Sequence, residues 1–243
     1  KDLFIMDLAN NHQGSLEHGK LVIESHAAVA KKHGVRAAIK FQFRDLPNFI
    51  HPVHQKESNN KHVPRFLGTK LSWEQFDELR AHAVENGMLT MCTPFDEASV
   101  ERIVKQGFDF LKIASRSALD WPLIEAAAST GLPMVVSTGG LQYSDVDKVV
   151  SFLQHRGIDF GIMHCVSIYP TKNDQCNLKN IVKLKNRYRN IPIGWSTHED
   201  PDNQLPLAVA ISLGAEMFER HIGIATDAIK LNAYSSQPLQ TAE

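Results

Sequence analysis

Residues 88–137 read MLTMCTPFDEASVERIVKQGFDFLKIASRSALDWPLIEAAASTGLPMVVS, and this stretch decides the architecture. An apolar run at 88–92 predicts a strand, and 96–106 predicts an amphipathic helix that stops at Gly107. A second apolar run follows at 108–114, a second helix at 122–130 stopping at Gly131, and a third strand at 133–137. The strands are continuous in apolar character rather than alternating, as a parallel sheet covered on both faces requires. A glycine just past each helix suits the left-handed residue that closes it.

The same unit repeats outward in both directions. Strands are expected at 3–8, 35–41, 159–165, 191–195 and 215–220. Helices are expected at 16–33, 72–86, 144–155, 178–190 and 201–213. Ser72 and Gln75 form a capping-box pattern, and Asp200, Pro201 and Gly214 read as the cap, first residue and end of the 201–213 helix. Eight strands alternating with seven helices predict a (β/α)8 TIM barrel as one catalytic domain over 1–243. The rival is a doubly wound sheet, but the turn after the first strand, ANNHQG at 9–14, holds a single glycine and no dinucleotide fingerprint.

Two stretches are untidy. Only 23 residues follow position 220, so the barrel is cut short before or within its eighth helix, whose start is placed at 238–243. A missing helix would expose an apolar sheet face, which is costly. The chain also opens on Lys1 rather than Met, so the natural protein is expected to be longer. The second stretch, 43–71, is long, polar and rich in His, Asn and Pro, the kind of connection that is usually functional or mobile.

Composition narrows the function classes. Of 243 residues, 26 are Lys or Arg and 27 Asp or Glu, so the net charge of −1 argues against nucleic acid as a partner. No apolar run approaches a membrane span and no signal peptide is visible, which excludes a membrane protein and favours a cytoplasmic one. The three cysteines, Cys92, Cys165 and Cys176, are too few for a disulfide framework and suit a reducing compartment. Cys92 and Cys165 are expected to pack as small apolar residues.

Barrels keep their active sites at the C-terminal ends of the strands. Those ends carry Asp7 with Asn11 and His12, then Lys40 and Gln42, Thr93, Lys112 with Ser115 and Ser117, and Ser137 before Gly139 and Gly140. The remaining ends carry His164 with Ser167 and Tyr169, Ser196 with His198, and Glu219, Arg220 and His221. A lysine inside an apolar strand must find a counter-charge or shift its pKa. Two such lysines beside hydroxyls and a Gly-Gly turn point to a phosphate or carboxylate site. The plainer alternative is two lysines that reach the mouth and are solvated. His198 and His221 end adjacent strands and are candidate ligands for a shared divalent metal, or ordinary rim residues. His51 and His54 sit in the polar connection and are expected to be solvated. His12 either contacts substrate or braces the first turn. Trp73 and Phe76 are expected in the core.

Several segments are recognisable together: residues 11–15 (NHQGS), 39–42 (IKFQ), 93–95 (TPF), 111–115 (LKIAS), 137–139 (STG), 164–171 (HCVSIYPT), 194–198 (GWSTH) and 219–221 (ERH). Eight such segments, in order along nearly the whole chain, resemble the N-acetylneuraminate (sialic acid) synthase family, which includes spore-coat polysaccharide synthesis homologues. The resemblance implies a barrel enzyme that condenses phosphoenolpyruvate with the open-chain aldehyde of an N-acetylated amino sugar, giving a sialic-acid-like nonulosonate and phosphate. It implies a divalent metal, Mn2+ or Mg2+, held by His198 and His221. It implies that Lys40, Thr93, Lys112, Ser115, Ser137 and Ser196 hold phosphoenolpyruvate. Asn11, Gln42 and Tyr169 would lie near the sugar. It also implies a homodimer in which a C-terminal antifreeze-like domain, absent from this chain, reaches the partner's sugar site.

The departures are specific. Asp7 stands where the family usually has Glu, Ser117 where it has a Glu suited to proton transfer, and Ser167 where it has Asn. The family's Gly-Pro-Asp is here Lys230-Leu231-Asn232, with Asn232 matching the Asp only if one residue is skipped. Two rivals follow: a weak or inactive homologue that binds an anion in polysaccharide assembly, and an aldolase acting through a Lys112 imine.

Overall fold

The computed structural model describes residues 2–56, 58–60 and 62–243, with the side chain of Lys56 outside the description. Eight parallel strands form one sheet in sequential order: β1 (Leu3–Asp7), β2 (Arg36–Phe43), β3 (Leu89–Pro94), β4 (Phe110–Ile113), β5 (Met134–Ser137), β6 (Phe160–Cys165), β7 (Ile193–Ser196) and β8 (Met217–Ile222). β1 also pairs with β8, which closes the sheet into a barrel. A short strand, β9 (Ser235–Ser236), extends β8 in parallel through His221 and Ile222. The expected (β/α)8 barrel is the fold.

Between the strands lie α1 (Leu16–His33), α5 (Trp73–Glu85), α6 (Glu97–Gln106), α7 (Trp121–Ala128), α8 (Tyr143–His155), α9 (Lys179–Arg187) and α10 (Leu205–Ser212). The long β2–β3 connection also folds α2 (Leu46–Phe49), α3 (Pro52–Lys56) and α4 (His62–Gly68). The last helix, α11 (Pro238–Ala242), begins where the sequence places the start of the eighth helix. The expected capping box forms, with both hydrogen bonds between Ser72 and Gln75, and Asp96 and Asp120, not singled out from the sequence as caps, cap α6 and α7. One expectation fails: α10 starts at Leu205, not Pro201. The Asp200 carboxylate accepts from the Asp202 amide two residues on, and Gln204 donates to the Pro201 carbonyl. Those local bonds make a turn that competes with helix.

The pleat sorts side chains by depth. Inside the barrel, Leu3, Ile5, Ala38, Met91, Val135, Met163 and Met217 form an apolar plug. Two residues further along the same faces stand Asp7, Lys40, Thr93, Ser137 and Glu219. A period of two therefore carries each strand from plug to polar mouth. The opposite face of the strands packs on the helices as a larger second core, with Trp195, Phe41 and Phe43 among its buried rings. Phe43 packs on Trp73 and Phe76, which places both of those at the core as expected.

Gly194 makes the plug fit. A Cβ there would lie 2.6 Å from the Met217 carbonyl oxygen and 3.0 Å from the Met163 methyl. The backbone oxygen has nowhere to go, so Gly194→Ala is expected to cost about 3 kcal/mol, the upper end for overpacking. Urea denaturation of the variant checks this; an unchanged midpoint would contradict the packing argument.

Candidate active site

β1 ends on Asp7 and β2 carries Lys40 directly opposite it in register. β8 places His221 opposite Asp7 on the other side and Glu219 opposite Ser196 of β7. Closure of the barrel thus brings residues from both ends of the chain onto one ring. Lys40 Nζ lies 2.9 Å from Asp7 Oδ2 and 3.5 Å from Glu219 Oε2. Lys112 Nζ lies 2.7 Å from the same Glu219 oxygen. Ser196 Oγ donates to the other oxygen of Glu219 at 3.0 Å. Asp7, Lys40, Lys112 and Glu219 are 1%, 4%, 2% and 5% exposed. The reading of solvated lysines is therefore wrong: the two ammonium groups are buried with two carboxylates, and the quartet carries no net charge.

The carboxylates stay ionised. Burial pushes Glu219 up, but Lys112 and Lys40 overcome it and hold the group well below the usual carboxylate range. Burial likewise opposes ionisation of Asp7, and Lys40 and His221 outweigh it, so its pKa falls. Lys40, desolvated but facing both carboxylates, is raised.

His198 and His221 stand side by side with ring centroids 5.4 Å apart. Burial pushes His198 down to about 3 and lowers His221 as well, so both imidazoles are neutral near pH 7. Nδ1 of each is buried without a hydrogen-bond partner. His221 Nε2 faces Asp7 Oδ2 at 3.5 Å. Tyr169, exposed beyond β6, sets its ring 4.3 Å from His198. Among the described residues no group of three or more His, Cys, Asp or Glu is arranged around one point.

The hydroxyls cluster on the opposite arc. Thr93 Oγ1 and Ser137 Oγ are buried and unpartnered. Ser115 Oγ accepts from the Gly139 amide at 2.8 Å. A Cβ on Gly139 would meet Ser167 Oγ at 2.6 Å and Ser115 Oγ at 3.0 Å, so only glycine lets these two serines converge on the turn. Ser117 is buried in the short 3-10 turn after β4. Asn11 is committed structurally: its Nδ2 donates to the Ile222 carbonyl at 2.6 Å and to Ser235 Oγ at 3.0 Å. Asn232 accepts from Ser235 Oγ and the Tyr234 amide, and so ties the chain beyond β8 to Asn11. Gln42 donates to Asp7 at 3.2 Å.

Most strand-end residues singled out from the sequence meet on this ring, but His164 instead stacks on Trp195 of the outer core and bonds the Cys176 carbonyl. His51 and His54 are exposed in the connection, as expected. Cys92, Cys165 and Cys176 are all free and buried. Two residues of the site have no role in the sequence reading. Glu219 is named there among the strand ends but not as the partner of the lysines, although it carries a signal: a charged residue in an apolar strand, two before His221 and therefore on the same face. Tyr234, whose ring lies 5.1 Å from His221, carries none, because it follows an irregular stretch. Behind the histidines, Glu199 and Arg220 form a buried pair at 3.6 Å, each adjacent in sequence to one of them.

Among the described residues no helix is long and apolar enough to cross a membrane. Comparison with known proteins agrees with the geometry. The NeuB family model matches residues 26–238. The chain is 34% identical over 227 residues to N-acetylneuraminate-9-phosphate synthase of Drosophila melanogaster, covering 89% of this chain and 59% of that protein. It is 30% identical over 231 residues to pseudaminic acid synthase of Campylobacter jejuni, covering 91% of this chain and 65% of that one. It thus spans about three fifths of the curated relatives it matches. A crystal structure of a Chromobacterium violaceum protein named for spore coat polysaccharide biosynthesis superposes with a TM-score of 0.97 at 44% identity, over all of this chain and 72% of that one. The N-acetylneuraminic acid synthetase of Leptospira borgpetersenii superposes with a TM-score of 0.86 at 28% identity, over 98% of this chain and 79% of that one. A barrel closed on this buried quartet, matched by the family model over most of its length, belongs to the NeuB family.

Proposed function

We propose that this barrel condenses phosphoenolpyruvate with the open-chain aldehyde of an N-acetylated amino sugar, releasing phosphate and a nonulosonate. The observation that carries the reading is the buried Asp7–Lys40–Glu219–Lys112 quartet beside two neutral histidines and two unpartnered hydroxyls. The names of the relatives, synthases of sialic and pseudaminic acids, support it.

Glu219 and Asp7 serve as counter-ions for the lysines. An anionic donor that enters there meets two fixed ammonium groups, with Thr93, Ser115 and Ser137 as hydroxyl donors around it, while Ser196 spends its proton on Glu219 and helps to hold that counter-ion. Because these groups are already held by the strands, little reorganisation is needed as charge develops, which is where electrostatic catalysis is strongest. The enol carbon bonds to the aldehyde carbon and water adds at the carbon that bore the phosphate ester. That C–O bond then breaks and phosphate leaves. Lys112 Nζ donates to Glu219 Oε2 at 2.7 Å, which fixes that ammonium group next to these oxygens. Positioning two reactants in line is itself worth several orders of magnitude.

The two unpartnered Nδ1 atoms, on imidazoles that burial keeps neutral, fit a divalent cation as partial ligands, leaving its other positions to water and substrate. A bound Mn2+ or Mg2+ would polarise the aldehyde oxygen. The free, buried thiols suit a reducing cytoplasm.

The test is phosphate release by the full-length protein from phosphoenolpyruvate with N-acetylmannosamine, Mn2+ present or chelated. Sugar-dependent release that EDTA stops is expected, with Lys40→Ala lowering kcat/KM by roughly a thousandfold. Release independent of sugar, or Lys40→Ala protein as fast as wild type, would overturn the reading.

A further inference from the structure

His198 and His221 are held in different ways. β8 runs on to Ile222 with a strand on either side of His221: Asp7 of β1 stands opposite it on one edge and Ser235 of β9 on the other. β7 pairs with β8 as far as Ser196, opposite Glu219, and the Thr197 amide then donates to the Glu219 carbonyl at 3.0 Å. His198 comes after that and lies beyond the strand pairing. Its carbonyl accepts from the Thr171 amide at 2.9 Å. Asp7 faces the His221 ring, but among the described residues no carboxylate comes within ion-pair distance of the His198 ring. Tyr169, whose ring packs on His198, is itself exposed.

What ties the segment after His198 back to β8 is the Glu199–Arg220 pair. Glu219 and His221 share the inner face of the barrel, so Arg220 between them lies on the outer face, and Glu199 meets it at 3.6 Å. Glu199 is completely buried, and neither of its oxygens makes a hydrogen bond; Nε and Nη2 of Arg220 make none either. Arg220 Nη1 reaches the Pro201 carbonyl and Gln204 Oε1, each at 3.5 Å. One arginine on a strand fixed from both sides thus gathers the chain at 199, 201 and 204. A buried ion pair with so few hydrogen bonds adds little to stability, because desolvation offsets the attraction, and apolar side chains of similar volume would serve the fold as well. Its consequence is geometric. Glu199 follows His198 directly and Arg220 directly precedes His221, so a single peptide link carries the constraint to each imidazole.

We propose that Glu199 and Arg220 are positioning residues: they set His198 against His221, and so set the affinity of the imidazole pair for a divalent cation, without touching the cation or the substrates. The proposal rests on the reading of the two histidines as a divalent-cation site, and its test measures binding, which does not depend on turnover.

Calorimetric titration of the full-length, metal-stripped protein with Mn2+ would compare wild type with the double variant Glu199→Leu and Arg220→Met, whose apolar side chains should keep the fold. Mn2+ is expected to bind the double variant about tenfold to a hundredfold more weakly, the range for residues that orient metal ligands from behind. Phosphoenolpyruvate affinity, measured with EDTA present, should be unchanged, because strand pairing holds Glu219 in place. Glu199→Gln, which keeps the shape and removes the charge, should also weaken Mn2+ binding. Arg220→Lys, which keeps a cation for Glu199 but not the fork, should retain part of it. These two single variants decide the matter if the double variant does not fold. A pair that served the fold alone would lose thermal stability on substitution and keep the Mn2+ affinity of wild type. Wild-type Mn2+ affinity in the folded double variant or in Glu199→Gln, or equal weakening of Mn2+ and phosphoenolpyruvate binding, would overturn the proposal and leave the cation site standing. Wild-type protein that binds no Mn2+ would overturn the cation site and the proposal with it.

Discussion

Glu219→Ala is expected to destabilise the barrel by about 3–5 kcal/mol and to reduce turnover to background, because it strands the buried Lys112 and takes one of two counter-ions from Lys40. Lys112 loses a partner at 2.7 Å and Lys40 one at 3.5 Å, and both lysines lie at the top of the barrel, almost out of reach of water. Lys40 keeps Asp7, but among the described residues Lys112 keeps no carboxylate. The decisive measurement is a double-mutant cycle. Glu219→Leu with Lys112→Met removes both charges and replaces them by apolar volume, so the pair should recover most of the lost stability. It should recover none of the activity, since both charges belong to the proposed donor site. Urea denaturation reads the first quantity and phosphate release the second. A double variant no more stable than Glu219→Ala would show that the carboxylate acts through packing rather than charge.

Stability is also expected to fall steeply below pH 6.5. His12, His26 and His164 are buried, and burial lowers the pKa of each, His12 to about 4. A group that stays neutral in the fold but protonates in the unfolded chain draws the equilibrium toward unfolding as protons are added. The loss therefore begins at the unfolded histidine value near 6.5 and continues down to the folded values. His12 alone contributes about 1.4 kcal/mol between pH 7.5 and 5.5, from one proton taken up only by the unfolded chain. His26 and His164 add to this in the same direction, as do His198 and His221 in metal-free protein. Asp7 and Glu219 act in a lower window. Their folded pKa values are depressed, so what they contribute is intact above about pH 4 and is lost only below it. Glu199, whose pKa burial raises, opposes the trend slightly by binding its proton first in the fold. Urea midpoints at pH 7.5, 6.5 and 5.5 check the sum. A flat profile to pH 5.5 would mean that these imidazoles are solvated or already charged.

Much of the site is legible in the amino-acid sequence because barrels place the ends of their strands together. Strand position alone singles out Lys40, Lys112, His198 and His221, and the need of a buried lysine for a counter-charge follows from elementary electrostatics. Which carboxylate answers that need is not legible. Glu219 is 107 residues from Lys112, and nothing local in either segment specifies the pairing. The β2–β3 connection reads only as long and polar; that it folds three short helices and delivers Phe66 onto Arg44 depends on contacts between segments. The late start of α10 is a local competition instead, since Asp200 and Gln204 offer a turn that displaces the expected cap.

The sequence by itself determined the alternation of strand and helix, the capping box that starts a helix at Ser72, and the inward period of two that puts apolar residues below and polar ones above. Those are short-range effects of sterics, capping and pleat, each complete within a few residues. Only the tertiary structure decided that β1 meets β8, that Glu219 serves two lysines, that Asn11 is anchored by Ser235 and that Arg44 packs on Phe66 and Phe95. These are electrostatic and hydrogen-bond balances between groups far apart in the chain, and they exist only once closure of the barrel has removed the water that would otherwise satisfy each group separately.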